Sequence, residues 1–356
     1  MTKGALRILL TGSGAPGTSG TAHMLRKGAE HEGLELLLFG VDSRPLPPNV
    51  RGITDIMQLP APASPAYLGE LNRIISSHSI DLVLPQTTAE SSFLSMHADA
   101  VSTKVAVLGE KTFRLLNDKG SLMSAFLDAG LTRPNFYLVE SRQGLENAAG
   151  KLGYPQTDIV VKLPSSSGMR GVRRLSEHSE TREEFLQKKP NVWTTEMGSL
   201  VATLGDAQWP QLVVMEYLSG PEYSVDVFKR DDHSVIIPRK RDEIRSGISM
   251  ETTLDLNMEI IQLVSDFLNH HGIEGLMGFQ FILTAHGPKI LECNPRVQGT
   301  MVASLASGVN IVWLETKWHL GLPIKDEDLR ISSRRGGFTR SWGGALTYAN
   351  GSIEHF

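Results

Sequence analysis

The chain reads as an α/β protein over its first third and as an α+β protein thereafter, and three observations predict this. Short apolar strands alternate with helical stretches through roughly residue 110. Beyond "EKTFRLL" the pattern changes to longer strands arranged as hairpins. Near residue 290 an apolar run ends with polar residues at every second position, a strand with one functional face.

The first third justifies a parallel sheet element by element. "LRILLTG" has the pattern of a buried strand, "SGTAHMLRKGAEHEG" of a helix, "LELLLFGVD" of a strand, "SPAYLGELNRIISSHS" of a helix and "DLVLP" of a strand. "TTAESSFLSMHADAVS" and "KVAVLG" add one more helix and strand. After the change of texture, "NDKGSLMSAFLDAG" is helical, and "DIVVKL" and "QLVVMEYL" are strands. "YSVDVFKR" and "HSVIIPRKR" form a hairpin about Asp231 and Asp232, and "LNMEIIQLVSDFLNHHG" is a long helix ahead of a final hairpin. Asn350 and Gly351 predict a tight turn in the tail.

Composition narrows the class of function. With 356 residues, 40% hydrophobic and 21% charged, the chain can bury the cores of two or three domains. A net charge of -4 gives no support for a nucleic-acid partner, which usually demands a basic surface. A single cysteine excludes an internal disulfide, and no His/Cys spacing suggests structural zinc. The opening "MTKGALRILLTG" lacks the long apolar segment of a signal peptide, and no run is long enough to span a membrane, so a cytoplasmic location is expected.

Gly12, Gly14 and Gly17 spell G-x-G-x-x-G between a strand and a helix, with Asp42 closing the next strand. That is the fingerprint of a dinucleotide loop and its ribose-binding acid. Pro16 intrudes in the turn, however, and Asp42 lies far from Gly17. The expectation is therefore a tight structural turn, or a pocket for another small ligand, in preference to NAD.

"ILECNPR", residues 290–296, places Glu292, Asn294 and Arg296 on one face of an extended strand. Pairing with "MGFQFIL" about residue 286 brings Gln280 opposite Glu292. Three oxygen-bearing side chains then suit a hard divalent cation, with Arg296 free to hold an anion beside it. The same pattern also suits the solvated face of an edge hairpin. Upstream, "DIVVKLPSSSGMRG" follows Lys162 with a loop of small residues whose backbone N–H groups can turn toward phosphate oxygens. "VVMEYLSGPEYSVDV" breaks between two strands at Ser219 and Gly220 and can present backbone groups to a purine edge.

In this order the motifs resemble the ATP-grasp superfamily, in particular the ATP-grasp module of carbamoyl phosphate synthetase large chains. The resemblance spans about residues 110–330. It implies a Rossmann-like domain over 1–110, ATP-grasp subdomains over 111–211 and 212–330, and a C-terminal β tail over 331–356. It implies phosphate contacts from Lys119, Lys162 and a loop containing Ser167, Gly168 and Gly171. The adenine hinge would be at Glu216 and Leu218, with Glu222 at the ribose. Gln280, Glu292 and Asn294 would hold Mg²⁺ or Mn²⁺, and Arg296 and Arg241 would act as catalytic cations; the loop is poorer in glycine than the family pattern, and the alignment around Arg239 and Arg241 is loose. ATP and the metal are thus the implied cofactors. The implied activity is an ADP-forming carboxylate–amine ligase acting on small molecules, and a homodimer is compatible with it. Phosphorylation of bicarbonate or carbamate is the alternative within the same chemistry. An NAD-dependent dehydrogenase and a catalytically silent nucleotide-binding regulator remain as different classes. Arg133, Arg170, Arg173, Arg174 and Arg245 are candidate carboxylate clamps, and the sequence does not choose among them.

Overall fold

The computed structural model describes all residues except 1–3, 45–51, 167, 179–180, 188–192, 333–335, 342–344, 348–352 and 356. The first sheet contains β1 (Leu6–Thr11), β2 (Leu36–Asp42), β3 (Asp55–Gln58), β4 (Leu82–Pro85) and β5 (Lys104–Val105). Its order is β3-β2-β1-β4-β5, and every pairing is parallel. Helices α1 (Thr18–His31), α2 (Tyr67–His78) and α3 (Thr88–His97) form the crossovers. Ile8, Leu9 and Leu10 form a continuous apolar run in β1 because both faces are covered. Ile8 and Leu10 pack with Ala22 and Leu25 of α1, whereas Leu9 packs with Leu71 and Ile74 of α2. The short, half-exposed β3 escapes a reading based on apolar runs.

Helix α4 (Glu110–Asn117) leads into α5 (Lys119–Asp128) and the second sheet. That sheet contains β6 (Phe136–Val139), β7 (Ile159–Lys162), β8 (Val172–Leu175), β9 (Thr194–Thr195) and β10 (Leu212–Glu216), in the order β6-β10-β7-β8-β9. Here the structure departs from the sequence-derived division at 211/212. Leu212–Glu216 pairs with both β6 and β7, so the sheets change over after Glu216. The physical reason is that β10 is buried from Leu212 to Met215, and its apolar run fits the centre of this sheet.

The third sheet is built from β11 (Glu222–Arg230), β12 (His233–Arg245), β13 (Ile248–Leu254), β14 (Gly275–Thr284), β15 (Gly287–Asn294) and β16 (Gly337–Thr339). All its pairings are antiparallel, in the order β15-β14-β11-β12-β13-β16. Arg230 pairs with His233 across the expected two-residue turn, and Asp231 adopts a left-handed φ of 48°. One face packs on the helix Met258–His271 and on α5, where Phe126 stacks on Phe267 at 4.2 Å. The other face is divided. Phe228, Val235, Ile237 and Leu276 join a core shared with Trp313 and α1, while Gln280, Glu222 and their neighbours are left polar.

This shared core ties the first sheet to the third. A Cβ on Gly28 of α1 would come within 2.3 Å of the Trp313 ring, so only glycine allows that approach. Nearby, the fully buried ammonium of Lys317 donates to Glu32 at 2.6 Å and to Asp328 at 2.7 Å. The final strands, Ala345–Thr347 and Ile353–His355, pair antiparallel. The turn expected at Asn350 and Gly351 lies outside the described residues.

Candidate active site

Gln280 and Glu292 are direct partners in the β14–β15 ladder and therefore share a face. Phe279 pairs with Cys293 and both are buried, which fixes the polar residues on the opposite side. The ladder is not regular. Phe281 pairs with Ile290 while Gln280 pairs with Glu292, leaving Leu291 as an additional residue in a bulge. The Leu291 carbonyl accepts a hydrogen bond at 2.9 Å from Lys162 Nζ, which reaches it from the end of β7 in the second sheet.

Lys119 approaches the same point from the first turn of α5. Asp118 caps this helix by accepting from the Ser121 N–H at 2.8 Å, which fixes where the chain turns helical. Lys119 Nζ lies 3.5 Å from Glu292 Oε2 and donates to the Ser166 carbonyl at 2.7 Å. The structure thus brings together a carboxylate of the third sheet, a lysine of the second and a lysine of α5. Burial is the main cause that pushes the Lys162 ammonium down to about 7; the Lys119 charge adds to it and Glu292 opposes it.

Each candidate metal-binding oxygen faces a protein cation. Gln280 Oε1 accepts from Arg241 at 3.4 Å, and Asn294 Oδ1 accepts from Arg296 at 3.1 Å. Arg241 also pairs with Glu222 and donates to Ser249 Oγ and the Gly247 carbonyl, each at 2.7 Å. Burial raises the Glu222 carboxyl from its ordinary value, the Arg241 charge and hydrogen bond lower it, and Glu292 raises it again. Its carboxylate is therefore engaged by Arg241 in this arrangement. Arg296 donates to Thr88 Oγ1 at 3.0 Å, so it reaches the start of α3 in the N-terminal domain. One carboxylate and two amide oxygens fit a hard cation that completes its shell with water and phosphate oxygens.

At the proposed adenine hinge, Glu216 Oε1 accepts from the Asn135 N–H at 2.8 Å and from Lys289 Nζ at 2.7 Å, and Leu218 is buried. In the loop after Lys162, Gly168 and Gly171 have φ values of 65° and 66°, and a Cβ on Gly171 would come within 2.6 Å of Leu163. Ser167 lies outside the described residues. Among the candidate clamps, Arg174 pairs with Asp158, Arg245 pairs with Glu243 at 2.7 Å, and Arg133 lies over the Phe136 ring.

Two groups here were missed by sequence reasoning. Lys289 had no signal beyond one charge in a strand. Glu90, three residues after the α3 cap Thr87, forms a T-x-x-E pattern that could have been noticed. It is buried where β1 and β4 end side by side, with Thr11 pairing with Pro85. In this order of strands that is the switch point, where crevices open at the carboxyl ends of parallel strands. Thr87 Oγ1 donates to Glu90 Oε2 at 2.9 Å. Burial pushes the Glu90 carboxyl up to about 7, against lowering by the Thr87 hydrogen bond.

The same crevice explains the glycine loop. Gly12 has a φ of 65°, and a Cβ there would lie 2.2 Å from Glu90 Oε2; a Cβ on Gly17 would lie 2.8 Å from the Gly299 backbone. Asp42 accepts from the Gly14 N–H at 2.8 Å with one oxygen and from Arg44 with the other. Protein groups therefore occupy the positions from which this loop and this acid would address a dinucleotide.

Residues 208–336 match a family model described as "ATP-grasp in the biosynthetic pathway with Ter operon". The chain is 24% identical over 233 residues to the carbamoyl phosphate synthase arginine-specific large chain of Bacillus subtilis, a match covering 59% of this chain and 21% of that one. The chain thus spans about a fifth of the length of that relative. Two solved structures share the fold. N5-carboxyaminoimidazole synthetase from Staphylococcus aureus, complexed with ADP, superposes with a TM-score of 0.66 at 15% identity, covering 91% of this chain and 79% of the other. The L-amino acid ligase from Bacillus licheniformis gives 0.65 at 15% identity, covering 98% and 83%. Among the described residues, no helix is long and apolar enough to cross a membrane.

Proposed function

We infer, from the ATP-grasp family-model match over residues 208–336 and the likeness to a carbamoyl phosphate synthase large chain, that this chain is an ADP-forming ligase that activates a small carboxylate and joins it to an amine, with Mg-ATP bound between the second and third sheets. One observation carries this reading: Lys119 and Lys162, from different substructures, converge on Glu292. Two ammonium groups beside one carboxylate give a site that attracts phosphate oxygens and still offers a metal its charged ligand.

In this reading the polyphosphate lies along Lys119 and Lys162, with Gly168 and Gly171 letting the loop fold over it. Gln280, Glu292 and Asn294 would hold Mg²⁺ or Mn²⁺, which when bound neutralises phosphate charge. A substrate carboxylate oxygen attacks the γ-phosphorus, the bond to the bridging oxygen breaks, and ADP leaves. The amine nitrogen then attacks the acyl carbon of the acylphosphate, expelling inorganic phosphate and losing a proton. Lys162, pushed down to about 7 by burial and the Lys119 charge, gains protonation as the anionic phosphates approach and stabilises the charge of the transferring group. Arg296, anchored between Asn294 and Thr88, faces the N-terminal crevice and would orient the anionic reactant. Arg241 of β12 steadies Gln280 of β14 across the intervening β11.

The test begins with thermal protection by Mg-ATP and by NAD, followed by a screen of small carboxylates for ADP release with and without amines. Protection by Mg-ATP and amine-dependent ADP release are expected. Release with bicarbonate alone moves the assignment to bicarbonate phosphorylation, and protection by NAD alone refutes the ligase reading.

A further inference from the structure

A second group of cations lies at the seam where the glycine loop meets the segment following Arg296. A cavity of about 540 Å³ opens there, lined among others by Ser19, His23, Arg26, Gly299, Thr339 and Arg340. Among the described residues, no aspartate or glutamate lines it. Arg340, just beyond β16, donates to the Pro16 carbonyl at 3.4 Å and to the Gly299 carbonyl at 3.1 Å. Both acceptors are neutral, and Arg340 Nε is buried with no hydrogen-bond partner. Arg26 is likewise held by a carbonyl, that of Gly52, at 2.9 Å. Guanidinium groups held by carbonyls keep their whole charge, so the cavity concentrates positive charge that the lining residues do not neutralise.

We propose that this cavity is a subsite for the phosphate monoester group of a substrate. A tetrahedral dianion uses what the lining offers: two guanidinium groups, an imidazole, and the hydroxyls of Ser19 and Thr339. A planar carboxylate would be satisfied by one guanidinium and would leave the other unmatched. Helix α1 begins at this cavity without a side-chain cap and adds the positive end of its dipole, as a secondary contribution. The place also fits. Gly299 follows Arg296 by three residues, and Gly17 abuts it from the loop that closes over Glu90. A small molecule with its phosphate here therefore has its remaining atoms beside the crevice into which Arg296 projects. The role as a subsite rests on the ligase reading; the anion site itself does not.

The test separates the two. Binding of Mg-β,γ-methylene-ATP is measured first by calorimetry, and its absence counts against the ligase reading alone. Inorganic phosphate is then titrated into the full chain, with the analogue present so that the triphosphate cradle is filled, and without it. Phosphate is expected to bind in both conditions, with affinity falling on the order of tenfold in Arg340→Gln and in Arg26→Gln, as loss of a charge-assisted hydrogen bond implies. Arg340→Lys should recover part of the loss, and circular dichroism checks that each variant is folded. Absence of phosphate binding, or equal phosphate affinity in the parent and both glutamine variants, overturns the proposal. Acetate binding as tightly as phosphate at equal ionic strength overturns the phosphate assignment.

Discussion

Glu90→Gln is the change whose effect is most directly calculable from the structure. The Glu90 carboxyl moves from an ordinary value of 4.5 to about 7, chiefly through burial. Because the folded value is raised, the folded protein holds a proton between about pH 4.5 and 7 that the unfolded chain has released. The associated stability is fully present below about 4.5 and is lost as pH rises through about 7. Between pH 5 and pH 8 this single group should cost the parent protein about 2 to 3 kcal/mol, at about 1.4 kcal/mol per unit. The glutamine variant keeps the shape and loses the titration, so its stability relative to the parent should rise by that amount over the same interval. In a chain with several substructures one global unfolding energy is poorly defined. Hydrogen exchange of peptides covering β1 and β4, corrected for the pH dependence of intrinsic exchange, reads opening of this sheet directly. Parallel pH profiles for parent and variant would refute the reasoning, since they would mean that Glu90 titrates as an exposed acid.

Other expected outcomes concern the proposed chemistry and its frame. Glu292→Gln should still bind Mg-ATP weakly but lose ADP release by on the order of a hundredfold or more, as removal of a key electrostatic group does; parental turnover in a folded variant would exclude this carboxylate from the reaction. Lys162→Met should weaken ATP binding with little loss of stability, because an apolar chain replaces a buried ammonium; calorimetry showing unchanged affinity would remove it from the site. Gly12→Ala should destabilise the N-terminal sheet by about 2 kcal/mol or more, from left-handed strain and the clash with Glu90, and an unchanged melting temperature would count against that packing.

What the sequence disclosed depended on how local the determining physics was. Pairing the strands about residue 286 set Gln280 against Glu292 as the structure does, but that pair depends on the extra residue at Leu291, since the Ala285–His286 turn and alternation alone would set Gln280 against Leu291. The parallel first sheet was legible because apolar strands separated by helices have few other ways to bury both faces. The address of β10 was not legible, since "QLVVME" fits any buried strand and its neighbours β6 and β7 are more than forty residues away. Convergence of Lys119 and Lys162 came from family resemblance, because no periodicity links residues on α5 and β7. The setting of Glu90 required knowing that β1 and β4 are neighbours, and Arg340 required a contact across more than three hundred residues.

The bulge at Leu291 determines which kinds of genetic change can reach the site. Lys162 is tethered there by a peptide carbonyl, and every amino acid at 291 supplies the same oxygen. Scanning side chains one at a time would therefore pass over this attachment in silence, recording only the apolar packing of Leu291. Removing the residue outright is different. Shortening the strand by one position would leave Glu292 opposite Gln280 in a regular ladder, but it would remove the extra peptide whose carbonyl holds Lys162. Relatives of this protein should accordingly vary freely in the side chain at this position while keeping the length of the strand, so the trait under inheritance is a count of residues and the letter at 291 matters little.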